Sequence, residues 1–501
     1  MNNTVIGHLT KITGSKITIR IVEKNCISKV DVADFSSSYV SIGTLIGVRL
    51  VDGRDLVLLV EEIYENNHDV YATAAISGIY DSVTQKFSFG TNAYPLVGEC
   101  AYKLDTTILK RVFTLNKVTK AASIGTYVYD PSVPISYDPN VMFGKHLGVF
   151  GNTGSGKTCT VVSLIQQYIH SNPDSDIKFI ILDVNGEYKA AFDKKEMDFI
   201  EFEKLRFHHS MLSNSEYGRL FRAAEGVQYP AIKSCISALA AKNKQWDMRK
   251  LPNQIEEWIN ENTPQNQKGE KDVFSKNNIS GHLRTMSLRI DSVLNDSQLM
   301  SVINTAGDEQ TIDTILKSPK PVVVIDLQVS SDTLDVVLYL MFKALYERKS
   351  KRVDTTHICL VLEEAHRYIN TGAEESKLGS YYIDKLAREG RKFGVGLIIS
   401  SQVPSLLSYE IVSQCNSVVM HKINSKKDLE FLKNVLRVSS DNFHQQMSAL
   451  EKQYAIVCGE AFPNDTVVKI HDASPRPASS DPVIEDRFLP NTPSDEDELP
   501  F

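Results

Sequence analysis

Apolar and polar positions follow one rhythm up to about residue 125 and another after it. In the first part they alternate over short runs, the period of half-buried strands. Residues 8–22, HLTKITGSKITIRIV, alternate on both sides of Gly14-Ser15. Residues 46–60, IGVRLVDGRDLVLLV, are two apolar runs around Asp52-Gly53, a strong hairpin signal. VYATAAISGIY and QKFSFG continue in the same style, so residues 1–125 are expected to form a small β-barrel. Past residue 140 the apolar runs become continuous and β-branched, at 146–150, 177–183, 321–327, 357–363, 394–400, 417–423 and 453–459. Runs without alternation suit parallel strands covered on both faces, which predicts an α/β domain over 126–471. Residues 190–316 lack such a run. YPAIKSCISALAAK and NQIEEWINEN carry apolar residues at helical spacing there, so a helical insertion is expected. From Asp472 to 501 the chain is rich in Pro, Ser and acid and reads as a flexible tail.

Composition narrows the classes. The 501 residues suggest two or three domains. With 42% hydrophobic and 23% charged residues, wholesale disorder and fibrous repeats are excluded. No apolar run approaches the ~20 residues of a membrane span. The opening MNNTVIGHLTKITG lacks a basic start followed by an apolar stretch, so neither a signal peptide nor a membrane partner is expected. The seven cysteines form no C-x-x-C pair, and Cys159, Cys235, Cys359 and Cys458 lie in apolar surroundings. That usage fits a reduced, cytoplasmic protein. The net charge is −7, but residues 481–501 carry −6 of it, so the body is nearly neutral and a local basic surface is compatible with it.

The chemistry begins at Gly151-Asn152-Thr153-Gly154-Ser155-Gly156-Lys157-Thr158, a full G-x-x-x-x-G-K-[ST] match between a strand-like run and a helix-like run that opens with Cys159. Glycines allow backbone N–H groups to close around phosphates, and the helix N-terminus adds partial positive charge. ATP is the expected ligand. Lys157 is expected on the β- and γ-phosphates and Thr158 on Mg²⁺. HICLVLEEAH ends an apolar run with Glu363 and Glu364. Hydrolysis needs a metal-side acid and a base for the attacking water, which assigns Glu363 to the first role and Glu364 to the second. The usual first acid is Asp; here it is Glu363. Arg388, Arg391 and Lys392 cluster before the run at 394–400, and Gln402 follows it. The arginines either complement a helix dipole or stabilise phosphoryl transfer in a neighbouring subunit. Gln402 either caps a strand or senses the γ-phosphate. Asp183, Glu187 and Lys189 are spaced too closely for a nuclease D…E-x-K site.

GNTGSGKT, DVNGEY, LEEAH and AREGRKFG…SSQ, in that order, resemble the HerA-type ATPases of the FtsK–HerA branch of RecA-like motors. AYPLVGECAYKL and the segment before it resemble that family's N-terminal HAS barrel, and the resemblance extends over about residues 1–475. It implies a RecA-like P-loop core, a homo-hexameric ring that threads double-stranded DNA, and a nuclease partner such as NurA or an antiphage-defence effector. Family members carry a basic residue, often Arg, upstream of the phosphate loop as a trans-acting group; the matching neighbourhood holds Lys145 and His146. Two alternatives to a DNA motor stay open. One is an ATP-regulated scaffold ring that switches a partner enzyme. The other is a transport ATPase, against which the missing membrane span counts. Finally, Ser494–Phe501 looks like the acidic, Pro-Phe-tipped tail of bacterial single-stranded DNA-binding proteins; it is either a solvated end, a segment that recruits a protein partner through Phe501, or one that folds back on a basic surface of the ring.

Overall fold

The computed structural model describes residues 4–22, 40–115, 121–265, 271–304, 311–353, 355–367, 369, 380–436 and 442–478. The tail residues 494–501, with Phe501, lie outside the described residues.

Two sheets organise the chain. The first contains β1 (Val5–Ile12), β2 (Lys16–Ile21), β3 (Leu45–Arg49), β4 (Asp55–Asn66), β5 (Asp69–Asp81), β6 (Lys86–Phe89) and β7 (Cys100–Lys103). Its order is β2-β1-β7-β3-β4-β5-β6, and β2 also pairs with β5, so six strands close into a barrel that β6 extends. Both expected hairpins are present: Ile12 faces Ile17 across Gly14-Ser15, and Arg49 faces Asp55 across Asp52-Gly53. Gly53 takes φ +84°, which the turn requires and a side chain would resist. The inward set of alternating residues, including Ile6, Leu9, Ile17, Ile19, Val48, Leu56, Leu58 and Val60, fills the barrel.

The second sheet contains β8 (Ala122–Tyr127), β9 (Asp130–Tyr137), β10 (His146–Phe150), β11 (Lys178–Asp183), β12 (Met197–Ile200), β13 (Val322–Asp326), β14 (Ile358–Leu362), β15 (Val395–Ser401), β16 (Ser417–Met420), β17 (Tyr454–Gly459) and β18 (Thr466–Ile470). The order is β12-β13-β11-β14-β15-β10-β16-β17-β18-β8-β9. From β12 to β16 neighbouring strands run parallel; the four beyond are antiparallel additions. The parallel strands are buried almost throughout, as expected when helices cover both faces. The expected boundary near residue 125 falls within β8, which belongs to this sheet. Tyr127, on β8, is buried and joins the two units: it accepts from the Leu45 N–H at 3.1 Å and donates to the Gly43 carbonyl at 3.3 Å.

Within 190–316 the described residues are mainly helical, including Gln228–Lys242, Leu251–Asn262 and Val273–Asn295. The same stretch also supplies β12 to the sheet edge. Its helix Asn214–Leu220 starts in a capping box between Ser213 and Glu216. Glu216 then reaches Lys343 at 2.6 Å and accepts from the Tyr339 hydroxyl, which fastens the insertion to the long helix Ser331–Ser350. After β18, residues 472–478 pack on the helix Lys157–Ser171: the Ser474 N–H donates to Gln166 at 2.9 Å, and Gln166 donates to the Pro475 carbonyl at 2.9 Å. None of the described helices is long and apolar enough to cross a membrane.

Candidate nucleotide site

The site forms at the C-terminal ends of β10, β14, β15 and β11, the edge where ligands collect in open parallel sheets. β10 ends at Phe150 and the chain turns through 151–156 into the helix Lys157–Ser171. Gly154 and Gly156 take φ +70° and +112°, so these two positions need glycine. The turn aims the first N–H groups of a fifteen-residue helix into the loop, which is the geometry for an anion. Lys157 is buried and its Nζ donates to the Asn152 carbonyl at 3.1 Å across the loop. Burial pulls its pKa down, opposed by the charges of Glu364, Glu363 and Glu187.

Glu363 and Glu364 follow β14 directly. Glu363 is almost fully buried. It accepts from the Tyr188 hydroxyl at 2.7 Å and from Ser400 at 3.1 Å, and Thr158 Oγ1 lies 3.5 Å from its Oε1. Burial raises its pKa to about 7 against the Tyr188 hydrogen bond, with the Glu364 charge adding to the rise. Glu364 takes φ +47°, which turns its side chain away from that of Glu363. Gln402 Nε2 donates to Glu364 Oε1, and the Thr153 hydroxyl donates to Gln402 Oε1. A continuous chain therefore runs from the phosphate loop through Gln402 to Glu364. His366 Nδ1 stands 3.2 Å from Glu364 Oε2.

Lys157, Thr158, Glu363, Glu364 and Gln402 are thus brought together, with Gly151, Asn152, Thr153, Gly154, Ser155 and Gly156 forming the loop. Cys159 sits half-exposed on the first helical turn. Lys145, Arg388 and Arg391 are elsewhere. They precede β10 and β15, so they lie at the N-terminal edge of the sheet. Five strand residues span about 16 Å, too far for these side chains to reach their own phosphate loop. Lys145 pairs with Glu460, and the Arg391 charge acts on both Glu460 and His146. Arg388 and Arg391 are exposed.

Four contributors escape a reading of local sequence. Tyr188 and Ser400 hold Glu363. Glu187 lies beside Thr158. His421, at the end of β16, supports the loop from below: its Nε2 is 2.9 Å from Thr160 Oγ1, and a Cβ on Gly151 would meet its Cβ at 2.6 Å. Burial, with the Lys157 charge adding, lowers the His421 pKa to about 4, so it packs there neutral. The sequence signal for Glu187 and Tyr188 was their place in DVNGEY, just past the run at 177–183, which assigned neither of them a role.

A parallel sheet with a strand inserted between the phosphate-loop strand β10 and the acid-bearing strand β14 defines a RecA-like P-loop ATPase. The family described as "Helicase HerA, central domain" matches residues 122–345. The DNA double-strand break repair helicase HerA of Saccharolobus solfataricus is 26% identical over 84% of this chain and 81% of its own length. That of Pyrococcus furiosus is 23% identical over 84% and 81%. VirB4 of Thermoanaerobacter pseudethanolicus shares the fold, with a TM-score of 0.51 at 14% identity over 72% of this chain and 98% of that one. Over most of its length the chain is similar to P-loop ATPases of the HerA type.

Proposed function

We propose that this ATPase is a ring motor, most simply a homo-hexamer, that moves along or unwinds double-stranded DNA. The observation that carries the hydrolytic half is the convergence of Lys157, Thr158, Glu363, Glu364 and Gln402 on one phosphate loop. The DNA half is supported by the similarity to repair helicases over most of the chain.

The residues suit Mg²⁺ as the metal that arrives with ATP. Thr158 and Glu363 offer hard oxygens 3.5 Å apart, the ligand type this cation takes. When bound, the ion would neutralise charge on the β- and γ-phosphate oxygens. Lys157 exchanges its Asn152 contact for phosphate oxygens. Glu363, held by Tyr188 and Ser400, faces the metal side through Thr158. Glu364 accepts the proton of the attacking water, and Gln402 holds it in position while linked to Thr153, so a γ-phosphate at the loop is felt at the base. Arg388, Arg391 and Lys145 act across the subunit boundary, which the exposure of the two arginines and the place of all three at the far sheet edge permit. A nuclease of the NurA kind, or another defence effector, is the proposed protein partner; the sequence resemblance is what supports it.

ATP turnover of the purified chain, with and without duplex DNA, tests this reading. A motor predicts severalfold stimulation by duplex. Turnover indifferent to DNA at every length and salt concentration would favour a scaffold ring that uses ATP to switch a partner.

A further inference from the structure

The loop after β11 carries a carboxylate that none of the roles above uses. Asp183 fixes this loop. Its Oδ1 accepts from the N–H groups of Gly186 at 2.8 Å, Glu187 at 3.1 Å and Asn185 at 3.3 Å, and its Oδ2 accepts from Tyr188 at 2.9 Å. Gly186 takes φ +76°, and a Cβ there would meet the Gln328 side chain at 2.6 Å, so the backbone has little alternative. The other side is pinned as well. The Ala478 N–H donates to the Glu187 carbonyl at 2.9 Å, and Tyr188 holds Glu363.

This frame turns the Glu187 side chain inward. Its Oε2 is buried and has no hydrogen-bond partner among the described residues. The carboxyl interacts with the Thr158 hydroxyl, and its charge is felt by Lys157 and Glu363. Burial raises the Glu187 pKa, the Thr158 contact opposes the rise, and the Asp183 and Glu364 charges add to it. A desolvated oxygen without a partner is costly unless a ligand supplies one. Here the same carboxyl interacts with Thr158, on the first turn of the phosphate-binding helix.

We propose that Glu187 is a third carboxylate of the nucleotide site, holding the hydrated divalent cation that arrives with ATP. The inference rests on the ATPase reading above. Glu187 is then a positioning residue: it fixes metal-bound water beside Thr158 and leaves proton abstraction to Glu364.

The test is nucleotide binding, read by titrating a fluorescent, non-hydrolysable ATP analogue against the full chain at a series of Mg²⁺ concentrations and in EDTA. In Glu187→Gln the half-saturating Mg²⁺ concentration should rise about tenfold, the usual cost of losing a residue that orients a metal's ligands. Binding in EDTA should be unchanged or tighter, because a carboxylate repels metal-free phosphates. Glu187→Asp keeps the charge and should fall between the two; it carries the comparison if the Gln variant melts early. An unchanged Mg²⁺ dependence in a folded variant overturns the proposal. Equal weakening with and without Mg²⁺ also overturns it and assigns Glu187 to loop structure alone. If the wild-type chain binds no analogue, the ATPase reading itself fails; if it does and Glu187→Gln matches it, only this inference fails.

Discussion

Glu364 is two residues past a fully buried strand and takes a left-handed backbone, φ +47°. Such a conformation costs a non-glycine residue roughly 1–3 kcal/mol and persists only when its surroundings impose it. Here it separates two adjacent carboxylates. Glu363 turns into the sheet toward Tyr188 and Ser400, and Glu364 turns out toward Gln402. The proposed division of labour between metal side and base rests on that separation. Glu364→Gln should therefore bind ATP normally, since the phosphate loop is untouched, and lose at least ~10²-fold in turnover as a general base is removed. Lys157→Ala should instead weaken binding itself. Single-turnover kinetics with a parallel binding titration separate the two. Near-normal turnover in Glu364→Gln would move the base to Glu363.

At the scale of elements, the parallel strands were legible because both of their faces are buried, which leaves long β-branched runs such as IKFIILD and GVGLIIS. β12, β8, β9 and β18 were not. β12 is only MDFI, with three of its four residues partly exposed, and β8, β9 and β18 are antiparallel additions whose half-polar sequences resemble loops. The phosphate loop and the acid pair were readable because each is contiguous. Glu187, Tyr188 and Ser400 fall inside the motifs DVNGEY and SSQ, but their contacts, like His421 altogether, were not readable, since the sheet order alone brings their strands to the loop. The insertion is held by a buried pair. Burial alone would raise the Glu216 pKa, but Lys343, the Tyr339 hydroxyl and the Ser213 N–H hold it below its ordinary 4.5. A depressed carboxylate stabilises the fold above its unfolded pKa, and that contribution is lost as pH falls through the folded value. Glu216→Gln strands Lys343 and should cost about 3 kcal/mol at neutral pH. Thermal melts of both chains should converge as pH falls through the depressed pKa of Glu216, below its ordinary 4.5; a constant gap across pH would assign the loss to packing.

For the whole molecule, the barrel is fastened to the second sheet's unit through Tyr127 and through Ser77, which donates to Asn464 at 3.0 Å. The basic residues Lys145, Arg388 and Arg391 stand at the sheet edge away from their own phosphate loop. A ring brings such an edge to a neighbour's nucleotide. Mixing Lys157→Ala chains with Arg391→Ala or Arg388→Ala chains should then partly restore turnover, because some interfaces regain an intact loop facing an intact arginine. Strictly additive loss at every ratio would confine the arginine to its own subunit.

Movement along duplex DNA driven by this one site is the central claim, and displacement of a third strand from a triplex measures it directly. The wild-type chain with ATP should strip the third strand from an otherwise intact duplex, and Glu364→Gln, though loaded with ATP, should leave it bound. Displacement that proceeds equally well with Glu364→Gln, or none by a wild-type chain that hydrolyses ATP and binds the same DNA, would contradict the account.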